Sequence, residues 1–172
     1  MRLVKQITNY RFLNLKEVND PNLSVKAYQF AERKGVDSVA LIGFDKDANR
    51  FLLNNEATPP LGGFLVRAFG GSIDKAKSYE DIAREEMREE GGYDVRPVNV
   101  KKVGKSFVST QMNQYCYLFL IMISDKFKTD RDPENETEAL SSPVWRSEAE
   151  VISGDDWKSI AIVTKAKQLD LI

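Results

Sequence analysis

At 172 residues, with 42% hydrophobic and 30% charged residues, the chain has the size and composition of one globular domain that can bury a core without disulfide staples. Its 25 basic and 26 acidic residues leave a net charge of -1, which argues against a general field drawing in nucleic acid or an anionic membrane surface. There is no histidine and Cys116 is the sole cysteine, so an internal disulfide, a multi-cysteine metal cage and any Cys/His catalytic pair are excluded. No apolar stretch follows Arg2 and Lys5, and Tyr115 to Ile123 falls short of the roughly 20 residues of a membrane helix. A cytoplasmic protein in a reducing compartment is expected.

In chain order, Tyr10 to Val18 alternates as a strand, Asn19 to Asn22 supplies a turn, and Ser24 to Arg33 returns as a second strand, giving an amino-terminal hairpin. Gly35-Val36-Asp37 leads into Ser38 to Phe44, a continuous apolar run suited to an inner strand. Asp45 to Asn49 turns the chain and Arg50 to Asn55 comes back beside it. Ala57-Thr58-Pro59-Pro60-Leu61-Gly62-Gly63 is expected to be a loop at the edge of a pocket, because consecutive prolines lack donors. Phe64 to Phe69 is a short strand delivering the chain to Gly70-Gly71. Ser78 then caps a helix, with Asp81 at the capping-box distance, and Gly91-Gly92 ends it after Glu90. Arg96 to Val108 reads as an interrupted strand, Ser109 to Gln114 as a polar connection and Tyr115 to Ile123 as the central strand. A polar loop is expected from Ser124 to Ser142, then an edge strand at Pro143 to Arg146, a short helix near Glu148 to Ile152 and an amphipathic helix from Asp156 to Leu169. The pattern predicts one compact α+β sandwich, with residues 1–34 as an amino-terminal β extension and 35–172 as the main domain.

The acidic helix holds the chemistry. At about 100° per residue, Tyr79, Ile82, Ala83 and Met87 share one face; with Ile82 at 0°, Glu86 falls near 40°, Glu90 near 80° and Glu89 near 340°. Glu86 and Glu90 therefore lie within the apolar stripe and Glu89 at its edge, and the i, i+3, i+4 spacing brings all three together. Ionised carboxylates packed this way repel one another and lose solvation, a cost that a divalent cation reverses. Oxygen ligands without histidine favour Mg²⁺ or Mn²⁺ over zinc, without separating magnesium from calcium. The competing reading is an acidic helix that simply faces solvent.

Gly70 to Tyr93 also resembles the Nudix hydrolase box. Gly71 matches its first glycine, Glu86 the glutamate after its arginine, Met87 its apolar position, Glu89-Glu90 its acidic pair, Gly92 its second glycine and Tyr93 its last hydrophobic position. The resemblance implies an αβα sandwich with a mixed sheet, in which the box forms a loop-helix-loop and Glu86, Glu89 and Glu90 hold Mg²⁺ or Mn²⁺ around a diphosphate. Two positions depart from the box: Lys77 stands at its first glutamate and Glu85 at its arginine. The pair keeps opposite charges with the signs exchanged, so a structural tie is preserved without the planar fork of arginine. Outside the box, Asp37 to Leu53, Pro59 to Gly62, Ala68 to Asp74, and Glu134 to Glu138 followed by Val144-Trp145 resemble the ADP-ribose pyrophosphatase branch. Arg67 stands near a position where that branch often carries an acid.

The resemblance implies hydrolysis of a phosphoanhydride in a nucleoside diphosphate derivative, ADP-ribose or a related nucleotide sugar. Glu86, Glu89 and Glu90 would be catalytic, with Glu136 or Glu138 from the later loop as an extra ligand or base. Arg67, Lys102 and Lys105 are candidates for phosphate contacts, with ordinary surface positions as the alternative. Asn54, Gln111 and Asn113 are candidates for polar base or sugar groups; Phe64, Phe107 and Tyr115 would stack on a base if they are not core. Gly70, Gly71 and Gly92 supply backbone freedom and Cys116 is a buried small apolar group. A homodimer is expected from the resemblance and from amino-terminal strands able to pair across subunits. Two other readings stay open: a non-catalytic nucleotide-binding module on the same scaffold, and an interaction protein whose acidic helix binds calcium or a basic partner.

Overall fold

The computed structural model describes residues 1–10, 13–33, 37–73 and 76–172, with every side chain among them except that of Thr137. In chain order the elements are β1 (Leu3–Gln6), β2 (Leu13–Asp20), β3 (Val25–Arg33), β4 (Ser38–Asp45), β5 (Arg50–Thr58), β6 (Gly63–Arg67), α1 (Tyr79–Glu89), β7 (Val100–Phe107), β8 (Tyr115–Ile123), α2 (Glu136–Leu140), β9 (Ser142–Arg146), α3 (Glu148–Ile152) and α4 (Trp157–Gln168). The continuous apolar runs of β4 and β8 pair in parallel, from Ser38 opposite Cys116 to Asp45 opposite Ile123. Such runs lack alternation because both of their faces are covered. Ala40, Ile42, Leu118 and Leu120 pack with Val151, Ile162, Val163 and Ala166 of α3 and α4. Val39, Leu41, Phe119 and Ile121 pack with Ile82, Ala83 and Met87 of α1. Helices thus cover both faces of a mixed sheet ordered β6-β5-β4-β8-β7, with β9 paired to β5. This is the expected αβα arrangement.

The way this sheet opens positions the site. β5 pairs with β4 only from Arg50 to Leu52 and then with β6 from Asn54 to Thr58. β9 pairs with β5 from Phe51 to Asn55, so it occupies the other edge of that strand. Above Leu52 the freed edge of β4 is taken by Phe69 to Ser72: the Leu41 amide donates to Phe69 O at 3.0 Å and the Val39 amide to Gly71 O at 2.9 Å. The glycine segment therefore lies in the gap between two diverging strands.

β1, β2 and β3 form a separate three-stranded antiparallel sheet, in that order. It meets the larger domain through Ala31, whose amide donates to Gln111 O at 2.8 Å and whose carbonyl accepts from the Asn113 amide at 3.2 Å. β1 was not expected; all four of its residues are exposed, so it carries no burial pattern to read. β5 runs three residues further than expected, to Thr58 rather than Asn55, and the chain leaves it only at the 3-10 turn Pro59–Leu61. The segment expected to be loop holds a 3-10 turn at Asp125–Phe127 and the short helix α2. Arg11 and Phe12 of the first expected strand, Asp74 of the glycine approach, and the boundary drawn between Lys34 and Gly35 lie outside the described residues. No described helix is long and apolar enough to cross a membrane.

Candidate active site

α1 starts where Ser78 Oγ accepts from the Asp81 amide at 3.1 Å. It buries Ile82, Ala83 and Met87, so its carboxyl-terminal turn is held against the opened sheet. Two glycines make this contact close. A Cβ at Gly70 would stand 2.5 Å from the Val39 carbonyl oxygen, and one at Gly71 would stand 1.8 Å from Glu86 Oε1. Gly92, at φ +75°, ends the helix in a left-handed conformation that favours glycine.

Glu90 is only 5% exposed, and its Oε2 has no hydrogen-bond partner among the described residues. Burial, followed by repulsion from Glu86, Glu56 and Glu138, pushes its carboxyl up to about 8, against the opposing pull of a Gly70 backbone hydrogen bond. Carboxylates from three elements thus act on Glu90 at the end of α1: Glu86 one turn earlier, Glu56 on β5 and Glu138 on α2. All four line a cavity of about 620 Å³, together with Arg33, Ser38, Arg67, Gln114 and Lys158. Arg67 pairs with Glu56, at 3.3 Å from Nε to Oε2.

The expected site residues divide. Glu86, Glu90, Arg67, Gly70, Gly71 and Glu85 reach the cavity. Glu89 does not line it; its Oε1 accepts from Arg88 at 2.6 Å. Of the two candidates on the later loop, Glu138 lines the cavity and Glu136 is exposed outside it. Asn54 is fully buried, with neither side-chain atom partnered among the described residues. It lies on the same face of β5 as Leu52 and Glu56 and supports the cavity wall. Gln111 and Asn113 dock the amino-terminal sheet, and Asn113 lines a smaller cavity of about 150 Å³ there. Lys102 stacks over Tyr117 at 4.8 Å and Lys105 over Tyr115 at 4.7 Å, both away from the large cavity. Phe107 and Tyr115 are not core, being 45% and 43% exposed, and neither lines the large cavity; Phe107 lines the smaller one with Asn113. Phe64 lies exposed beside α3. Cys116 is buried as expected, and burial raises its thiol pKa.

Lys77 and Glu85, expected to be tied by their opposite charges, form an ion pair across the start of α1. With one partner largely exposed, a double-mutant cycle on Lys77→Ala and Glu85→Ala should give a coupling of about 0.5 kcal/mol. A coupling above about 2 kcal/mol would show that the pair organises the loop far more strongly than an exposed contact does.

Sequence reasoning missed Glu56, Arg33, Lys158 and, most of all, Arg131. Arg131 donates to three backbone carbonyls: Glu90 at 2.7 Å, Ser141 at 2.7 Å and Glu138 at 3.0 Å. It ties the last turn of α1 to the loop that carries Glu138. Glu138 in turn accepts from the Glu134 amide at 2.7 Å and the Asn135 side chain at 2.5 Å. Replacing Arg131 with methionine should lower unfolding stability by about 2–4 kcal/mol, the range for losing charge-assisted bonds to buried carbonyls. Urea denaturation measures this, and a loss under about 0.5 kcal/mol would mean that the loop is held by other contacts.

Among the described residues no group of three or more Asp, Glu or Cys side chains is assembled as a metal cage. The chemistry of the donors nevertheless fits a hard divalent cation, since Glu90 brings a buried oxygen without a partner and stands among like charges. No family profile matches the chain, and no curated protein matches it in sequence. Its structure is similar to a crystal structure of an ADP compounds hydrolase, with a TM-score of 0.76 and 12% identity, over 97% of this chain and 91% of that one. The architecture built by β4 to α4 around the glycine segment is a Nudix fold.

Proposed function

We propose that this chain is a Nudix-type hydrolase that cleaves a phosphoanhydride bond in a nucleoside diphosphate derivative, with ADP-ribose and related nucleotide sugars as the first candidates. The observation that carries this reading is the buried Glu90, repelled by the half-buried Glu86, Glu56 and Glu138 on a cavity that also holds Arg67. The similarity to an ADP compounds hydrolase supports it at the level of fold. Glu86 and Glu90 would hold Mg²⁺ or Mn²⁺, with Glu89 joining them if it leaves Arg88. When bound, the cation supplies charge neutralisation at the diphosphate and acidity to water.

The chain's own residues do the rest. Glu90, protonated at neutral pH in the metal-free protein, gives up its proton as the site loads. Arg67 offers its guanidinium to a phosphate oxygen, and Glu56 holds it in the cavity wall. Glu138 is fixed by Glu134 and Asn135 and is the placed acceptor for a proton from attacking water. The products are two phosphate monoesters.

A panel of nucleoside diphosphate sugars and dinucleotides, incubated with each metal, should yield monophosphates with the wild type and at least about 100-fold less with Glu86→Gln. Equal product from wild type, Glu86→Gln and Glu89→Gln would overturn the reading. One observation favours a second reading, a nucleotide-binding module without turnover: Glu89 is engaged by Arg88 rather than directed into the cavity. Tight nucleotide binding with no product would select it. The same proposal includes a cytoplasmic homodimer, supported by exposed Leu3, Val4, Ile7 and Leu13 on the amino-terminal sheet; a monomeric mass by light scattering would remove the dimer.

A further inference from the structure

Arg131 points its whole guanidinium at backbone. Nε and Nη2 share one edge of the planar group and donate in the same direction, to Glu90 O at 2.7 Å and to Glu138 O at 3.0 Å. Nη1 reaches Ser141 O at 2.7 Å. Two parallel donors on a rigid plane fix the spacing of their acceptors more closely than one bond does. The backbone of Glu90, at the end of α1, and the backbone of Glu138, on α2, are thereby held side by side. Gly92 makes room for this: a Cβ there would stand 3.3 Å from Arg131 Cγ and 3.1 Å from Thr129 O.

The two ends of this tie differ in what else holds them. The last turn of α1 is anchored by the fully buried Met87, and the chain beyond Phe127 runs beside it, with the Thr129 amide donating to Gly92 O at 2.9 Å and the Asp132 amide to Glu89 O at 3.0 Å. α2 lacks burial of its own. None of its described side chains is buried, and Leu140 is 67% exposed. Apolar packing therefore does not place Glu138 against the cavity. The bonds that its carboxylate accepts, from the Glu134 amide and the Asn135 side chain, lie within the same loop and move with it. Arg131 is what refers the loop to α1.

We propose that Arg131 is a positioning residue for the reaction: by holding the carbonyls of Glu90 and Glu138 on one edge of its guanidinium, it sets where the Glu138 carboxylate stands relative to Glu86 and Glu90. The proposal rests on the hydrolase reading and adds that this tie governs rate as well as stability. The step it serves is the attack of water. The water oxygen bonds to phosphorus, its proton passes to Glu138, and the bond from phosphorus to the bridging oxygen breaks with its electron pair leaving on the departing monophosphate.

The test is a double-mutant cycle on Arg131→Lys and Glu138→Gln, read as turnover with Mg²⁺ of ADP-ribose or of whichever nucleotide sugar or dinucleotide the wild type cleaves fastest. Lysine keeps the charge and the stem but offers a point donor in place of the fork. Arg131→Lys is expected to lower kcat about 100-fold, the cost of about 1 Å at a reacting group, with KM within about threefold of the wild type. In the Glu138→Gln background the same change should cost less than about threefold, because the group being positioned is already gone. Calorimetric titration with Mn²⁺ alone should give an affinity within about threefold of the wild type, since Met87 still holds α1. Urea denaturation confirms that each variant is folded under the assay conditions.

Hydrogen exchange supplies a readout apart from turnover. The Ala139 and Ser141 amides, bonded within the loop to Asn135 O and Glu138 O, should lose protection in Arg131→Lys, while the Glu90 amide, bonded to Glu86 O, keeps it. Unchanged kcat in Arg131→Lys, equal losses in both backgrounds, or a loss of Mn²⁺ affinity as large as the loss of rate overturns the proposal and leaves the hydrolase reading standing. A wild type that cleaves nothing, with exchange behaving as stated, fails the hydrolase reading instead and reduces Arg131 to a tie of the loop.

Discussion

Replacing Glu90 with glutamine is expected to stabilise the metal-free protein at alkaline pH while removing its metal response. The carboxyl pKa of Glu90 lies at about 8 in the folded chain, above its ordinary value of 4.5. The folded state therefore binds this proton more tightly than the unfolded state does. Its stabilising contribution is complete below about pH 4.5 and is lost as pH rises through about 8. The displacement corresponds to roughly 5 kcal/mol between the two protonation states, a large share of the about 5–15 kcal/mol that holds a domain together. Glutamine keeps the shape without the charge, so Glu90→Gln should match the wild type near pH 5 and exceed it by a few kcal/mol at pH 8.5. Adding Mg²⁺ should close that gap from the wild-type side only. Urea denaturation in chelator across this range is the measurement. A wild-type stability that stays level from pH 5 to 8.5, and equals that of the variant throughout, contradicts the account of Glu90.

The second large effect is expected at Gly71, and it falls on activity rather than on stability. A Cβ there would meet Glu86 at 1.8 Å from Oε1 and 2.5 Å from Cδ. Both atoms belong to the far end of a flexible side chain, which can rotate away at a cost of about 1 kcal/mol. The Glu86 carboxylate would then no longer stand where the glycine segment leaves room for it, and displacements of about 1 Å at reacting groups cost on the order of 100-fold in rate. Gly71→Ala should therefore melt close to the wild type and lose about two orders of magnitude in kcat/KM. Gly70→Ala supplies the contrast. Its Cβ would meet the Val39 carbonyl at 2.5 Å, which is backbone of the inner strand and cannot turn aside. Stability should suffer there first. A Gly71→Ala protein with full activity would show that Glu86 works from some other position.

Both predictions concern parts of the site that the sequence announces well, and the contrast with what it hides has a physical basis. The bounds of β8, Tyr115–Ile123, and of α3, Glu148–Ile152, are legible because each is one uninterrupted pattern between breakers. The Ser78 cap and the apolar stripe of α1 are legible for the same reason. The angular count places Glu86 and Glu90 inside the apolar stripe, and both reach the cavity, but the expectation that Glu89 joins them is not met in this arrangement, where Glu89 accepts from Arg88. Glu56 stays hidden because Pro59-Pro60 suggests a strand that stops early, whereas proline blocks pairing only from its own position onward and β5 continues to Thr58. Arg33, Arg131 and Lys158 stay hidden for a different reason. Each is an ordinary cation in a charged stretch, and only the crossing of the chain brings them to the cavity or, for Arg131, to the carbonyls of Glu90, Ser141 and Glu138.

Lys77 and Glu85 carry opposite charges and pair across the start of α1. Glu85 also lines the cavity. Lysine supplies a point charge where arginine would supply a fork, and the approach to α1 is held as well by the Ile73 amide donating to Asp37 O at 3.0 Å and by the Ser78 cap.

The most direct test of the hydrolytic account is mass spectrometry of products formed from a nucleotide sugar in ¹⁸O-water with Mg²⁺. Attack by water on one phosphorus predicts a single ¹⁸O in one of the two monophosphate products, none in the other, and at least about 100-fold less of both when Glu86 is replaced by glutamine. Label distributed over both products, unlabelled products, or the same yield from Glu86→Gln would contradict it.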